Sequence, residues 1–446
     1  MAGRPGGRPD PARVVPDAGG AATGPGGRAG AAAVAIARSL CETAIWDEDG
    51  VECAWMGRAD PEPPDPSGMS VSSVALGADL YSGTAGVGLF LAEMSRLEGD
   101  PVFAATAAGA VRRSCRHLAL TPGQVSPLSF FSGHLGVVYA VHRLGDGGPG
   151  PDVRRETDEL LDRVRESVDE PHHLDFLLGA AGAVPPLLWL AERGASADLA
   201  DLAVKLGEEL CRTATWSGEA CCWDSRKASG EAFAFPPLTG LSHGASGFAL
   251  ALFELYRATG ENSFLATARG ALAYEDTLYS AGARNWVDTR MPHQRADGHV
   301  VGSFRVAWCH GGPGIALARA RAAACDPDRR EAHAATAKTA LETTVTGTTP
   351  LLATHRYDAS LCHGLAGLAE TLAIGASMLD LPDYTSGAPT IADELMTRYA
   401  AGGNWPTGAP AGGPNPSLMI GNAGIGHHLL RLSAPDEVPP ILLLTP

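Results

Sequence analysis

Two short motifs combine residue types that bind transition metals. Cys309 and His310 directly precede the glycine at position 311, and Cys362 and His363 directly precede the glycine at position 364. Thiolates and imidazoles are donors that zinc prefers. Three protein ligands and one open coordination position are typical of a catalytic zinc ion, whereas structural sites are closed by four ligands. The sequence therefore predicts that Cys309, Cys362 and His363 bind one catalytic zinc ion.

The same two motifs also fit a second set of zinc ligands. All four residues, with His310 included, would give a Cys2His2 site, which is closed and leaves no position for chemistry. Adjacent Cys and His side chains reach the same metal only with a suitable turn, which favours one such pair over two. The spacing is not that of a zinc finger, because 53 residues separate the two pairs. Either ligand set therefore requires a fold that brings the two pairs together.

An internal repeat indicates such a fold. A Gly-x-x-Gly motif occurs seven times, and each copy is followed by an apolar, helical stretch. The first glycines lie at positions 83, 133, 179, 244, 311, 364 and 421, so the spacing runs from 46 to 67 residues. About two helices with their loops fit such a spacing. We therefore predict an all-α fold, a double ring of seven inner and seven outer helices, in which equivalent glycine turns meet at one end.

Three segments depart from the regular repeat. Residues 1–30 are rich in glycine and proline and indicate a disordered tail, with one domain over residues 31–446. Ordered structure is expected from about Ala31, with helical sequence as far as Trp46. Two long intervals contain polar, turn-rich inserts at residues 215–237 and 281–301. Inserts on a repeat scaffold commonly lie at the mouth of a binding face.

Composition excludes several other classes of protein. The formal charge is −16, with 50 acidic and 34 basic residues among 446, which argues against a nucleic-acid partner. Nine cysteines are too few for a disulfide scaffold of this length, and their number is odd. The sequence shows neither a secretory signal nor an apolar run of the ~18 residues needed for a membrane span. The cytoplasm, where thiols stay reduced, is the expected compartment.

With these motifs, the chain resembles the lanthionine synthetase C-like (LanC-like) family of peptide cyclases over about residues 35–446. The resemblance rests on Ser242-His243-Gly244, on the two Cys-His-Gly motifs, and on the closing segment from Pro416 to Gly426. These motifs are nearer to the cyclase halves of bifunctional lanthipeptide synthetases than to many stand-alone cyclases. No dehydratase domain precedes them, so we expect a stand-alone cyclase with a separate dehydratase as a possible partner.

The resemblance implies an α/α toroid that holds one Zn²⁺ through Cys309, Cys362 and His363. It also implies a reaction, in which Cys thiols of a dehydrated precursor peptide add to dehydroalanine or dehydrobutyrine and form (methyl)lanthionine thioether rings. Functional roles are implied for His243, for Arg305 and for Asp175. Some members carry Tyr where this chain has His310, which leaves the role of that position open.

The addition creates an enolate that must be protonated, and either His243 or His310 could act as the general acid. Arg305 could stabilise the developing negative charge or position the peptide, and Asp175 could orient a histidine or Arg305. Each residue also has a structural interpretation. His243 could cap the following helix, Arg305 could be a surface residue, and Asp175 could cap the third inner helix.

Two other functions remain open on the same scaffold. One is the addition of an external thiol, such as glutathione, to dehydroamino acids, which would use the same metal site but consume the added thiol. The other is a peptide-binding scaffold without catalysis, against which the intact ligand positions argue. An α/α-barrel glycosidase or terpene cyclase is disfavoured, since no aspartate-rich motif occurs and the cysteines would have no role.

Overall fold

The computed structural model describes residues 25–59, 72–121, 123, 125–145, 151–224, 237–294, 300–409 and 413–444. The first helix begins at Pro25, earlier than the expected start near Ala31, and ends at Thr43 rather than at Trp46. Proline suits the first turn of a helix, where its missing N–H would have no partner, and the following alanines favour the helix. Residues 1–24 of the expected tail lie outside the described residues.

Fourteen helices of ten or more residues occur in the described part of the chain. They are α1 (Pro25–Thr43), α2 (Thr84–Glu98), α3 (Pro101–Leu120), α4 (His134–Arg143), α5 (Pro151–Ser167), α6 (Ala180–Glu192), α7 (Asp198–Thr213), α8 (Ala245–Thr259), α9 (Asn262–Asp276), α10 (Gly312–Cys325), α11 (Arg330–Thr354), α12 (Leu365–Leu379), α13 (Gly387–Tyr399) and α14 (Asn422–Ser433). A single helical turn, Pro382–Thr385, and a 3-10 turn, Pro327–Arg329, are inserted between them.

The even-numbered helices form a closed inner ring. Each packs against the next even-numbered helix, and α14 packs against α2. Every inner helix begins at the residue after the first glycine of a Gly-x-x-Gly motif. Most of their residues are buried, and one continuous apolar core joins them to the odd-numbered helices outside. The predicted all-α double ring of seven inner and seven outer helices, an α/α toroid, is therefore confirmed.

The outer ring is closed by the N-terminal helix. The helices α3, α5, α7, α9, α11 and α13 each pack on the inner helix that precedes them, whereas α1 packs on α14, at the other end of the sequence. The seventh repeat thus takes its outer helix from the start of the chain. Each inner helix consequently has an outer partner, and the two ends of the chain are held in one unit.

The described residues also form five two-stranded antiparallel hairpins, which the repeat pattern did not predict and which follow or join the outer helices. They are β1 (Ile45–Trp46) with β2 (Cys53–Ala54), β3 (Met56–Ala59) with β4 (Ser72–Ala75), β5 (Thr215–Ser217) with β6 (Ala220–Cys222), β7 (Tyr279–Ser280) with β8 (Asn285–Trp286), and β9 (Asp288–Gln294) with β10 (Val300–Ser303). The hairpin of β5 and β6 lies in the first predicted insert, and the last two hairpins span the second, although β7 precedes residue 281 and β10 extends past residue 301. Residues 225–236 and 295–299 of these inserts are outside the described residues. The described helices include none long and apolar enough to cross a membrane.

The second glycine of each motif allows the inner helix to press against the backbone of its own turn. A Cβ atom at any of these seven glycines would lie 1.8–2.2 Å from the carbonyl oxygen six residues earlier. At Gly247 it would also lie 2.6 Å from the Cβ of Phe176 in the preceding repeat. Real Cβ atoms do not approach backbone this closely, so a larger residue would force the turn and helix apart.

We predict that Gly247→Ala lowers the free energy of unfolding by about 1–3 kcal/mol, because overpacking outweighs the gain of about 1 kcal/mol in helix propensity. Gly402→Ala is the matched control, since a Cβ there would meet no atom within 4 Å; its effect should stay within about 0.5 kcal/mol. Urea unfolding of both variants measures the difference. Equal unfolding free energies for the two variants would contradict the close-approach argument.

Candidate functional site

The seven glycine turns meet in a ring of hydrogen bonds at one end of the toroid. The residue two positions before the first glycine of each turn contacts the equivalent residue of the next turn. We call these seven residues the turn belt: Tyr81, Phe131, Leu177, Ser242, Cys309, Cys362 and Met419. The backbone N–H of one member donates to the carbonyl oxygen of its neighbour at six of the seven junctions, over 2.8–3.4 Å. At the seventh junction, Ser129 Oγ donates to the Leu177 carbonyl at 2.7 Å.

Cys309 and Cys362 are neighbours in the turn belt. The Cys309 N–H donates to the Cys362 carbonyl at 3.4 Å, and the two thiols also interact. Hydrogen bonding with Cys362 holds the pKa of the Cys309 thiol below its usual range. The same hydrogen bond, together with burial, raises the pKa of the Cys362 thiol well above its usual range. The fold therefore brings together two of the three predicted zinc ligands.

The third predicted ligand, His363, contacts a carboxylate of its own turn. The His363 side chain is partly exposed, and its Nε2 lies 3.7 Å from Asp358 Oδ2. It packs over Gly408, where a Cβ would lie 2.5 Å from the imidazole Nε2. Within the described ranges, no group of three or more Cys, His, Asp and Glu side chains is arranged to hold a metal ion. The structure thus pairs the two thiols but directs His363 toward Asp358.

Asp175 and His243 form a hydrogen-bonded pair beside the turn belt. His243 Nδ1 lies 3.1 Å from Asp175 Oδ2, while Asp175 Oδ1 accepts a hydrogen bond from the Leu178 N–H at 2.7 Å. Asp79 has the equivalent place in the first repeat, and its Oδ1 accepts from the Ser82 N–H at 2.6 Å. One oxygen of Asp175 therefore serves the turn, as expected for a structural residue, and the other holds a histidine.

His310 is buried next to this pair. Its ring is 5.8 Å from that of His243, and its Nε2 is 3.3 Å from Ser242 Oγ. Burial, with the positive charge of Arg290, lowers the pKa of His310 to about 3. His310 is therefore neutral at physiological pH, so it holds no proton to donate as an imidazolium.

Arg305 is exposed. Its backbone carbonyl accepts a hydrogen bond from Asn285 Nδ2 at 2.8 Å. Its guanidinium makes only a small contribution to the lowered pKa of His310. Of the four predicted catalytic residues, the structure therefore clusters Asp175, His243 and His310, with Arg305 at the surface nearby.

Two further residues of the site were missed from the sequence. The Tyr81 hydroxyl interacts with the Cys362 thiol, and burial with this neighbour raises the pKa of Tyr81 well above its usual value. Arg290, in strand β9, is paired with Asp288 and lowers the pKa of both Cys309 and His310. Tyr81 could have been found from its place in the repeat, where it is equivalent to Cys309. Arg290 could have been found only as a charged residue of the second insert.

Comparisons with known proteins agree with this architecture. The sequence model of the family described as "Lanthionine synthetase C-like protein" matches residues 74–443. The solved structure of nisin cyclase matches with a TM-score of 0.61 at 17% identity, over 81% of this chain and 89% of that chain. At this identity the likeness shows the fold, an α/α toroid. No curated protein sequence matches this chain significantly.

Other solved structures match less well. An unsaturated glucuronyl hydrolase from Streptococcus agalactiae has a TM-score of 0.46 at 10% identity, over 92% of this chain and 93% of that chain. A sugar epimerase from a ruminal bacterium has a TM-score of 0.43 at 11% identity, over 90% and 96% of the two chains. Scores this low carry no argument about function.

We predict that the two paired thiols react unequally in protein stripped of metal. At pH 8 iodoacetamide should modify Cys309 at least about tenfold faster than Cys362, because one unit of thiol pKa changes the thiolate fraction about tenfold and Cys362 is also the more buried. Cys325, whose pKa burial raises to about 11, is an internal reference for a slow thiol. Peptide mass spectrometry over time measures the rates. Faster modification of Cys362 than of Cys309 would contradict the geometry of the pair.

Proposed function

Because the chain belongs to the lanthionine synthetase C-like family, we propose that it is a zinc-dependent cyclase that forms (methyl)lanthionine thioether rings in a dehydrated precursor peptide. Peptide Cys thiols would add to dehydroalanine or dehydrobutyrine of the same peptide. One observation carries this proposal: two thiols from different repeats, Cys309 and Cys362, lie side by side in the turn belt next to the Asp175–His243 pair.

The donor chemistry of the site suits zinc. Two thiols already in contact are soft donors, and an imidazole on the residue after Cys362 would complete a three-ligand set. In this proposal the ligands are Cys309, Cys362 and His363, and His363 turns away from Asp358 to reach the metal. When bound, zinc would lower the pKa of the substrate thiol, so that it reacts as the thiolate at neutral pH.

The residues around the thiol pair would handle the proton. As the new bond forms between sulfur and Cβ, the electron pair of the Cα–Cβ double bond moves toward the adjacent carbonyl oxygen. The thiol proton passes to His243, and the resulting imidazolium then protonates Cα. Asp175 supports this role, because its carboxylate accepts from Nδ1 at 3.1 Å and stabilises the imidazolium.

His310 is the weaker candidate for the general acid. A buried imidazole whose pKa is about 3 stays neutral throughout the physiological range. We instead assign His310 to packing against His243 and Ser242, which fixes the ring that carries the proton. Arg305 is assigned to positioning the peptide, since its side chain is exposed beside the turn of the fifth repeat.

The partners follow from the reaction. The substrate is a dehydrated precursor peptide, and a dehydratase, on this or another chain, must supply it. All nine cysteines are free thiols in the structure, in line with a role in the cytoplasm, where thiols stay reduced.

We predict that incubation with a dehydrated precursor peptide removes free peptide thiols without changing the peptide mass, because addition transfers atoms within one molecule. Cys362→Ala should abolish this conversion, whereas Cys325→Ala, at a cysteine away from the belt, should retain it. Alkylation followed by mass spectrometry counts the remaining thiols. Unchanged ring formation by Cys362→Ala would refute the assignment of that residue.

The same assay tests the proton donor and the rival functions. His243→Gln should slow ring closure about 100-fold, as expected for loss of a general acid, and more than His310→Gln. A gain in peptide mass that depends on added glutathione would indicate external thiol addition instead. Binding of the peptide without loss of thiols, by wild-type protein that contains zinc, would indicate a non-catalytic scaffold.

A further inference from the structure

The second insert delivers a short segment of chain to the mouth of the site. Thr239 Oγ1, in the fourth glycine turn, donates to the Val287 carbonyl at 2.9 Å. The Gly312 N–H, in the fifth turn, donates to Asn285 Oδ1 at 3.0 Å. Residues 285–287 are thus bound to two neighbouring turns of the ring. The next residues, Asp288 to Arg290, are held in place next to the belt by these anchors.

Asp288 fixes the orientation of Arg290. The Asp288 side chain is only 4% exposed. Its Oδ1 accepts from the backbone N–H and from Nε of Arg290, at 3.1 and 3.0 Å, and its Oδ2 accepts from Arg290 Nη2 at 2.7 Å. A two-point contact of this kind holds the planar guanidinium in one orientation. The Arg290 side chain remains 24% exposed. Nε and Nη2 bind Asp288, so Nη1 lies on the side of the guanidinium away from this carboxylate.

The Arg290 guanidinium lies near the turn of the fifth repeat, because the segment that carries it is bound through Asn285 to Gly312 of that turn. In agreement with this position, its positive charge lowers the pKa of His310. Arg305, the arginine expected to act on the developing charge, is exposed instead. Arg290 is therefore a cation with a fixed orientation, its Nη1 group is directed away from its carboxylate partner, and its segment is anchored to the turns of the fourth and fifth repeats.

Thiol addition places negative charge on one particular atom. When sulfur bonds to Cβ, the electron pair of the double bond shifts through Cα, and the carbonyl oxygen of the dehydro residue becomes an enolate oxygen. A donor held in place before the reaction stabilises such an oxygen more than one that must be recruited during it. We propose that Arg290, held by Asp288, donates from Nη1 to this carbonyl oxygen and stabilises the enolate. This inference rests on the proposed cyclase function.

A structural role makes different predictions. If the Asp288–Arg290 pair served only to hold the hairpin of β9 and β10, its loss would lower thermal stability and peptide affinity together. If Arg290 stabilises the enolate, its loss affects a state that exists only during the reaction, so kcat falls while the affinity of the unreacted peptide is kept.

The experiment compares Arg290→Gln with Arg284→Gln. Arg284 belongs to the same insert, and its exposed side chain pairs with Glu342. Its variant therefore controls for the loss of a positive charge near the mouth of the site. Ring closure is measured with a dehydrated precursor peptide. Ground-state binding is measured separately with the same peptide carrying Ser in place of each Cys, which has no thiol and cannot cyclise.

We expect Arg290→Gln to lower kcat by about 100-fold, the cost of removing one donor to a developing oxyanion. Its affinity for the Ser peptide should stay close to that of the wild type, whereas its melting temperature should fall, because the buried Asp288 carboxylate loses its charged partner. Arg290→Lys, which keeps the charge without the planar fork, should recover part of the rate, and Arg284→Gln should have the wild-type rate.

A wild-type rate in Arg290→Gln would overturn the inference. A loss of rate in Arg290→Gln with an equal loss of Ser-peptide affinity would also overturn it. The same holds if Arg290→Lys shows the same fall in melting temperature as Arg290→Gln and recovers none of the rate. Failure of the wild-type protein to close rings would instead count against the proposed function.

Discussion

The chemistry of this protein depends on one cyclic constraint, the hydrogen-bonded turn belt. Residues far apart in sequence become neighbours because each glycine turn bonds to the next, and the seventh bonds back to the first through the Met419 N–H and the Tyr81 carbonyl. Cys309 and Cys362 are adjacent because their repeats are adjacent, whatever the length of chain between them. A set of donors that no local sequence spacing could assemble is thereby built from equivalent positions of a ring.

The belt can form only because each inner helix approaches the backbone of its own glycine turn closely. The second glycine of every motif contacts the carbonyl oxygen six residues earlier, which leaves no room for a side chain. The ring must also be closed on its outer side, and here α1 packs on α14 and supplies the outer helix that the seventh repeat lacks. The geometry of the site therefore depends on closure of the ring, because an open ring would leave one junction of the belt without its hydrogen bond.

The repeat predicted the fold well because it records backbone geometry. Close approach of helix and turn requires a glycine at one fixed place in each repeat, and these glycines are visible in the sequence. All seven inner helices could therefore be placed from the sequence. The direction of a side chain is not specified in this way. His363 belongs to the predicted motif, yet its imidazole contacts Asp358, a residue of its own turn, and no periodic pattern predicts this contact.

Arg290 was missed for a similar reason, because its position depends on an irregular insert anchored to two turns. The sequence left open whether Asp175 orients a histidine or Arg305 or caps a helix, and the structure was needed to show that one of its oxygens binds the turn and the other His243.

We propose that the two belt cysteines form the core of a metal centre and that the neighbouring histidines have different roles. The direct test is the zinc content of the purified protein and of single alanine variants, measured by plasma mass spectrometry on folded samples. We predict one zinc ion per chain in the wild type, its loss in Cys309→Ala and Cys362→Ala, weakened retention in His363→Ala, and full retention in His310→Ala. Full zinc content in Cys309→Ala or Cys362→Ala would contradict the central claim, and loss of zinc in His310→Ala would show a closed four-ligand site instead.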